Sequence, residues 1–477
     1  MEGRNAKAHA VLLSSPGLGH LIPVLELGKR LVTVNNFKVT IFVVSSLTAA
    51  AESQVLQSSM SPELCEVIRL PPANISDLVD ADAAVVTRIA VLMREIRPAL
   101  SSAISALKYP PTVLIVDLFG TESLGFADDF KIPKFVFIPS HAWFLALTIY
   151  LPRLDEVVKG EYVDEKEALF IPGCRPVQPE DVVDPMMCRS DQQYAEYVHM
   201  GMNILMADGI LVSTWEELEP ETLAALRDNK LLGRISKVPI YPVGPMIRPI
   251  GAVDHSSKKL LFDWLDKQPS VSVLFVSFGS GGMLSNEQMR ELAWGLELSR
   301  QRFIWVVRTP AVKSGDGSFF SVGSGSSNDK LSFLPEGFLG RTQNLGLVVS
   351  DWAPQVEILS HPSVGGFFSH CGWNSTLESI MNGVPMIAWP LYAEQKLNAT
   401  MLAEGLRIAV RSKILPSKGI VGREEIKMLV RKMLVRKIMV DDEGRAMRAR
   451  VKELKLSAER AWTRNGSSWK ALAQAMC

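Results

Sequence analysis

The residues best suited to chemistry lie within one stretch, positions 352–395. Its centre is a short apolar run, 364–369, which predicts a buried strand. Asn374 and Ser375, which are N-cap residue types, come soon afterwards and precede a helical pattern. A turn from a strand into a helix presents backbone N–H groups and the positive end of the helix dipole, and both favour a bound phosphate. With His370 as a further donor, this turn is a candidate phosphate site.

Other side chains of the stretch suit the remaining parts of a nucleotide sugar. Glu378 lies three residues after Ser375, on the same helix face, where the pair can accept hydrogen bonds from the two hydroxyls of a ribose. Trp352 offers a flat face for a base, and such stacking contributes roughly 1–3 kcal/mol in nucleic-acid complexes. Glu394 and Gln395 follow an apolar strand and suit sugar hydroxyls. Each residue alone could be structural, but together they predict a nucleotide-sugar site.

The stretch 352–395 resembles, from its first residue to its last, the signature box of plant UDP-sugar-dependent glycosyltransferases. The resemblance continues outside the box, from the segment 16–20 (Pro-Gly-Leu-Gly-His) to the final helix. Within the family, the chain is most similar to the branch that acts on hydroquinone and phenylpropanoids. The resemblance implies donor binding by the following residues: Ser140, Trp352, Ala353, Gln355, His370, Trp373, Asn374, Ser375, Glu378, Glu394 and Gln395. Ser280, in a Gly-rich loop after a predicted strand, could also help to hold a phosphate, although a plain turn fits that loop about as well.

The resemblance also implies the reaction. Glucose passes from UDP-glucose to the hydroxyl of a small phenolic acceptor with inversion, which gives a β-glucoside. Gln395 ends the box, and in the family Gln at this position suggests glucose whereas His suggests galactose. Glu394 stands where many members carry Asp, so the carboxylate is kept. UDP-glucose is a co-substrate, and neither a cofactor nor a metal is expected.

Transfer to a phenol needs a base, and His20 is the candidate because an imidazole titrates near neutral pH. Asp117 could hold the other ring nitrogen and stabilise the cation that forms. The local pattern fits a structural histidine equally well, and it is the resemblance that assigns a catalytic pair to these two positions. Phe119 and Phe144 are candidate walls of an apolar acceptor pocket, although both fit ordinary core positions as well.

The rest of the chain predicts the elements that position these residues. Short apolar runs alternate with helical patterns on both sides of a Pro- and Gly-rich segment, 239–251. Such alternation is typical of parallel sheets covered on both faces. We therefore expect an α/β protein with two doubly wound, Rossmann-like domains that face a cleft, which is the GT-B fold that the resemblance implies. The expected bounds are 1–245 for the acceptor-binding domain, 246–257 for the linker and 258–459 for the UDP-sugar-binding domain, with a helix at about 460–477 that packs back on the first domain.

Composition limits the partners. Lys plus Arg and Asp plus Glu number 51 each among 477 residues, so the net charge of zero argues against nucleic acid or an anionic membrane surface as the main partner. The five cysteines form no C-x-x-C pair, which argues against a zinc site and fits a reducing compartment. The most apolar segment, 135–151, is shorter than the roughly 20 residues of a membrane span. We expect a cytoplasmic monomer.

Two other functions remain open at this point. A nucleotide-sugar oxidoreductase or epimerase would share the doubly wound sheet, but the segment 17–22 lacks the third Gly of the G-x-G-x-x-G pattern. A non-catalytic sugar-nucleotide binder would lack the base or its partner, and this chain has both His20 and Asp117.

Overall fold

The computed structural model describes residues 7–44, 65–80, 82–248, 259–308, 310, 331, 333–350, 352–434 and 442–477. The chain divides into two compact units, one comprising Met1–Ile247 with Ala458–Cys477 and the other Arg248–Ser457. The expected linker lies outside the described residues from position 249 to position 257.

Each unit is built on a parallel sheet. Unit 1 has seven strands in the order β3-β2-β1-β4-β5-β6-β7, and unit 2 has six in the order β10-β9-β8-β11-β12-β13. Strands β1, β4, β8 and β11 are buried at every position, as expected for strands with helices on both faces. The strands are β1 (His9–Ser14), β2 (Lys38–Val44), β3 (Cys65–Leu70), β4 (Val113–Asp117), β5 (Lys134–Ile138), β6 (Gly209–Val212), β7 (Ile240–Pro242), β8 (Val273–Ser277), β9 (Arg302–Val307), β10 (Gly346–Ser350), β11 (Val364–Ser369), β12 (Met386–Ala388) and β13 (Ala409–Arg411).

Helices connect the strands. The α-helices are α1 (Leu18–Asn35), α2 (Val85–Glu95), α3 (Arg97–Ser105), α4 (Gly125–Phe130), α5 (Ala142–Val157), α6 (Gln192–Ile204), α7 (Pro220–Arg227), α8 (Lys259–Asp266), α9 (Asn286–Ser299), α10 (Phe338–Thr342), α11 (Gln355–Ser360), α12 (Trp373–Asn382), α13 (Gln395–Thr400), α14 (Arg423–Leu434), α15 (Asp442–Ala461) and α16 (Ser467–Ala475). Shorter helical segments are Leu118–Ser123, Tyr162–Asp164, Pro179–Asp181, Asp184–Met187, Leu232–Arg234 and Met401–Gly405. In the part of the chain that the structure describes, no helix combines the length and apolar character needed to cross a membrane.

Both sheets reverse their strand order at one point. The reversal falls between β1 and β4 in unit 1 and between β8 and β11 in unit 2. In doubly wound folds, ligands bind outside the carboxyl ends of the strands at such a point. The expected fold class, two Rossmann-like domains of GT-B type, is confirmed. The residues that follow these four strands are therefore candidates for ligand binding.

The end of the chain belongs to unit 1. Helix α16 packs on β7 and α1, and Leu472 is fully buried in the core that these elements share. Trp462 Nε1 donates to the carbonyl of Pro245 at 3.2 Å, and the guanidinium of Arg30 lies 4.2 Å from the centre of the indole ring. The final residues therefore complete the apolar core of unit 1.

We predict that Leu472→Ala lowers the free energy of unfolding by about 2–5 kcal/mol, because it leaves a cavity between α16 and the sheet. Leu456→Ala is the matched control, since Leu456 is 53% exposed on α15 and its loss should change stability by less than about 0.5 kcal/mol. Chemical denaturation of both variants measures the difference. Equal stability of the two variants would contradict the core role of α16.

Candidate active site

A buried carboxylate orients the imidazole in unit 1. His20 Nδ1 lies 3.0 Å from Asp117 Oδ2, and the His20 side chain is 17% exposed whereas that of Asp117 is fully buried. Asp117 Oδ2 also accepts from the backbone N–H of Ser15 at 2.8 Å, and Ser15 Oγ donates to Asp117 Oδ1. Since a carboxylate accepts, Nδ1 carries the proton, and Nε2 is the nitrogen able to accept one.

Two strand ends place this pair. Asp117 is the last residue of β4, and β1 runs beside β4 and is followed by Ser15. Gly17 has φ of 100°, a conformation that favours glycine, and it turns the chain directly into α1. His20 therefore lies in the first turn of α1, at the carboxyl edge of the sheet.

The expected acceptor and sugar residues of unit 1 differ in their surroundings. The Phe119 ring lies 5.3 Å from the imidazole of His20, on the short helix after β4. Phe144 is 6% exposed and packs against Tyr197 on α6, with ring centres 6.2 Å apart. Ser140 is 5% exposed, and its hydroxyl has no hydrogen-bond partner among the described residues. Phe119 thus lies beside the imidazole of His20, whereas Phe144 has the surroundings of a core residue.

An ion-pair network close to Phe119 was not anticipated from the sequence. Glu122, Glu196 and His199 lie close enough together to be considered as metal ligands. Arg94 donates to Glu122 at 2.9 Å and to Glu196 at 2.8 Å, so a guanidinium already balances the two carboxylates. Glu122, Glu196 and His199 line a pocket together with Phe119.

In unit 2, the predicted phosphate turn follows β11. Cys371 adopts φ of 65°, and Gly372 is the N-cap residue of α12, with no side-chain hydrogen bond to the helix start. A helix start of this kind can take an anion as its cap. Trp373 is 3% exposed and Ser375 is 7% exposed, so both side chains are buried at this turn.

The imidazole of His370 is confined by two glycines. A Cβ atom on Gly279 or on Gly372 would approach the ring to 2.5 Å, so neither position has room for a side chain. Burial, together with the charge of Arg308, lowers the pKa of His370 to about 4. His370 is therefore neutral at physiological pH and can donate a hydrogen bond without contributing a charge.

The proposed ribose residues are joined by one carboxamide. Gln355 Nε2 donates to Ser375 Oγ at 2.8 Å and to Glu378 Oε2 at 2.6 Å. Burial raises the pKa of Glu378 to about 7, and the hydrogen bond from Gln355 opposes this rise. Trp352, at the start of the stretch, is 38% exposed, and Ala353 beside it is buried. The group combines an exposed aromatic face with oriented acceptors.

At the other end of the stretch, the polar pair lies at the start of α13. Gln395 Oε1 accepts from the N–H groups of Leu391 at 3.0 Å and Tyr392 at 3.2 Å, which fixes the carboxamide and leaves its NH₂ group as the donor. Glu394 Oε1 accepts from Asn398 Nδ2 at 3.2 Å.

Asn398 also links this pair to the phosphate turn, because its Nδ2 donates to the carbonyl of Cys371 at 2.8 Å. The sequence reasoning missed Asn398, although its position four residues after Glu394 places it on the same helix face and could have suggested it. Ser280 follows β8 and is exposed, and its carbonyl accepts from the guanidinium of Arg308, which was also missed.

The two doubly wound sheets, with residues of the predicted nucleotide-sugar site at the carboxyl edge of one of them, suit a sugar-nucleotide-dependent transferase. A family model described as "UDP-glucoronosyl and UDP-glucosyl transferase" matches residues 241–439. The chain belongs to this family, and it is a UDP-sugar-dependent glycosyltransferase. The resemblance to the plant enzymes is confirmed, and both the oxidoreductase and the non-catalytic alternatives are set aside.

Similarity to individual proteins extends over almost the whole chain. The chain is 62% identical to "Anthocyanidin 3-O-glucosyltransferase 5" of Manihot esculenta, over 98% of this chain and 94% of that protein. It is 44% identical to "Hydroquinone glucosyltransferase" of Rauvolfia serpentina, over 98% and 97% of the two chains. The crystal structure of TcCGT1 in complex with UDP matches with a TM-score of 0.89 at 48% identity, over 98% of each chain.

The buried carboxyl group of Glu378 yields a prediction about stability. Its pKa is raised from 4.5 to about 7 in the folded chain, so the folded state binds a proton more tightly than the unfolded state between these values. The contribution of Glu378 to stability is therefore present at low pH and is lost as pH rises toward 7. We expect Glu378→Gln to have a free energy of unfolding up to about 3 kcal/mol higher than that of the wild type at pH 8. At pH 5 the two free energies of unfolding should be closer.

Thermal unfolding of both proteins at the two pH values measures this difference. The hydrogen bond that Gln355 donates to residue 378 is available to both Glu and Gln at that position, since both offer an acceptor oxygen. A stability gap of the same size at pH 5 and pH 8 would mean that ionisation of Glu378 is not its source.

Proposed function

We propose that this chain transfers glucose from UDP-glucose to the hydroxyl of a small phenolic acceptor, with inversion at the anomeric carbon. The observation that carries the proposal is the 3.0 Å contact between His20 Nδ1 and the buried Asp117 Oδ2. A carboxylate behind an imidazole holds one tautomer and stabilises the imidazolium that forms when the ring accepts a proton. The names of the hydroquinone and anthocyanidin glucosyltransferases support a phenolic acceptor.

The proposed reaction is a single displacement. His20 Nε2 removes the proton of the phenolic hydroxyl as the oxygen attacks the anomeric carbon. The new bond from carbon to the acceptor oxygen forms while the bond to the β-phosphate oxygen breaks, and UDP leaves with the electron pair. Attack from the face opposite the leaving group inverts the configuration, so an α-linked donor gives a β-glucoside.

Unit 2 supplies the donor site in this proposal. Trp352 stacks on the uracil, and the group formed by Gln355, Ser375 and Glu378 holds the ribose hydroxyls. The start of α12 takes the diphosphate, with His370 as a neutral donor. Glu394 and Gln395 hold the glucose hydroxyls.

Phe119 supports an aromatic acceptor, because its ring lies next to the imidazole that acts as the base. Offset or tilted aromatic packing contributes about 0.5–1.5 kcal/mol beyond burial. Phe144 is a weaker candidate for the pocket wall, given its packing against Tyr197.

We predict that His20→Ala lowers kcat for glucoside formation by at least about 100-fold while the affinity for UDP stays within twofold, since the variant removes only the base. His361→Ala is the matched control: it breaks another 3.0 Å His–Asp contact, between His361 Nε2 and Asp266 Oδ1 at the opposite, amino end of β11. Product formation by mass spectrometry and UDP binding by calorimetry measure the two effects. A His20→Ala variant with wild-type turnover would remove the base from this mechanism.

A second prediction concerns the sugar. We expect Gln395→His to lower the preference for UDP-glucose over UDP-galactose by about tenfold, which corresponds to roughly one hydrogen bond of 1.4 kcal/mol. The reason is that the carboxamide oxygen of Gln395 accepts from the N–H groups of Leu391 and Tyr392, which fixes the direction of its NH₂ donor. An imidazole at this position cannot accept from both N–H groups. The ratio of kcat/KM for the two donors measures the preference. An unchanged ratio would argue against Gln395 as the residue that selects the sugar.

A further inference from the structure

Three neighbouring strands of unit 2 bring their carboxyl ends to the predicted phosphate turn. Strand β8 pairs with β9 on one side and with β11 on the other, all in parallel. Arg308 follows β9, Gly279 and Ser280 follow β8, and His370 follows β11. Because parallel strands end at the same edge, these residues form a row at the point where the strand order reverses.

Arg308 is anchored within this row. Its Nη1 donates to the backbone carbonyl of Ser280, which ties the end of β9 to the turn after β8. Its charge acts on His370, whose ring packs directly against the turn at Gly279. A guanidinium is planar and permanently charged, so a hydrogen bond through one nitrogen also fixes the orientation of the others.

A positive charge at this position would stabilise the leaving group of the proposed reaction. As the bond to the anomeric carbon breaks, the β-phosphate gains one negative charge. His370 is neutral at physiological pH, and the start of α12 contributes the equivalent of only about half an elementary charge. A guanidinium matches a phosphate group through two parallel hydrogen bonds, which are among the strongest in proteins.

We propose that Arg308 is a catalytic residue, which binds the β-phosphate of the donor and stabilises the diphosphate as it leaves. This inference rests on the proposed transfer from UDP-glucose, and it adds a cation beside the turn to the neutral donors, acidic side chains and helix end described above. The sequence alone gave no sign of it, because Arg308 lies more than 40 residues before the signature box and is followed by a segment outside the described residues.

The test compares Arg308→Gln and Arg308→Lys with Arg302→Gln. Arg302 begins the same strand at its amino end, so this control removes the same charge from the opposite edge of the sheet. Calorimetry measures the affinities for UDP, UMP and uridine, and steady-state kinetics measure kcat and KM for UDP-glucose. Thermal unfolding confirms that each variant is folded.

If Arg308 binds the β-phosphate, Arg308→Gln weakens UDP binding by about 10- to 100-fold and leaves uridine binding within twofold. Its kcat falls by about 100-fold, and Arg308→Lys restores part of both losses because a lysine keeps the charge but not the planar pair of donors. Arg302→Gln behaves as the wild type.

Two results would overturn the assignment. Wild-type UDP affinity and kcat in Arg308→Gln would exclude a role in catalysis. An equal loss of affinity for UDP and for uridine would mean that Arg308 only supports the turn at Ser280. Failure of the wild type itself to bind UDP would instead reject the proposed function, so the two failures are distinguishable.

Discussion

Parallel pairing of β1 with β4 and of β8 with β11 is the constraint on which the rest of the structure depends. Parallel strands deliver their following residues to one edge of the sheet, and the reversal of strand order leaves an opening there between the connecting helices. This is how His20 and Asp117, 97 residues apart in sequence, come within hydrogen-bond distance. The same arrangement places Gly279, Ser280 and His370 side by side in unit 2.

Burial then decides the charge of the groups at these edges. His370 is held neutral because its ring is enclosed between two glycines, and the carboxyl group of Glu378 is made a weak acid by the same loss of solvent. Such groups reduce the stability of the unliganded fold, and ligand binding offsets that cost when it completes their hydrogen bonds. Gln355 and Asn398 fix the orientation of the acidic side chains of the proposed donor site through hydrogen bonds to Glu378 and Glu394.

Much of this was predictable because it depends on local patterns. Apolar runs of strand length, N-cap residues and the Pro-rich segment predict two doubly wound sheets, and the order of residue types in 352–395 predicts a nucleotide-sugar site. Asn398 and Arg308 were not predicted, and each donates to a backbone carbonyl distant in sequence, Cys371 at 27 residues and Ser280 at 28 residues. Phe144 shows the limit of residue type alone: an aromatic residue suits both a pocket wall and a core, and its packing against Tyr197 is a tertiary fact.

The sequence by itself determined the fold class, the family and the set of side chains proposed to hold the UDP-sugar, because periodicity and residue type act over a few turns of chain. Only the tertiary structure decided which of those side chains share hydrogen bonds, which are neutral and which are charged. Both properties follow from distance and from exposure to water, and those depend on strands that the sequence separates by tens of residues. The hydrogen bond between His20 and Asp117 and the neutral state of His370 are two examples of such properties.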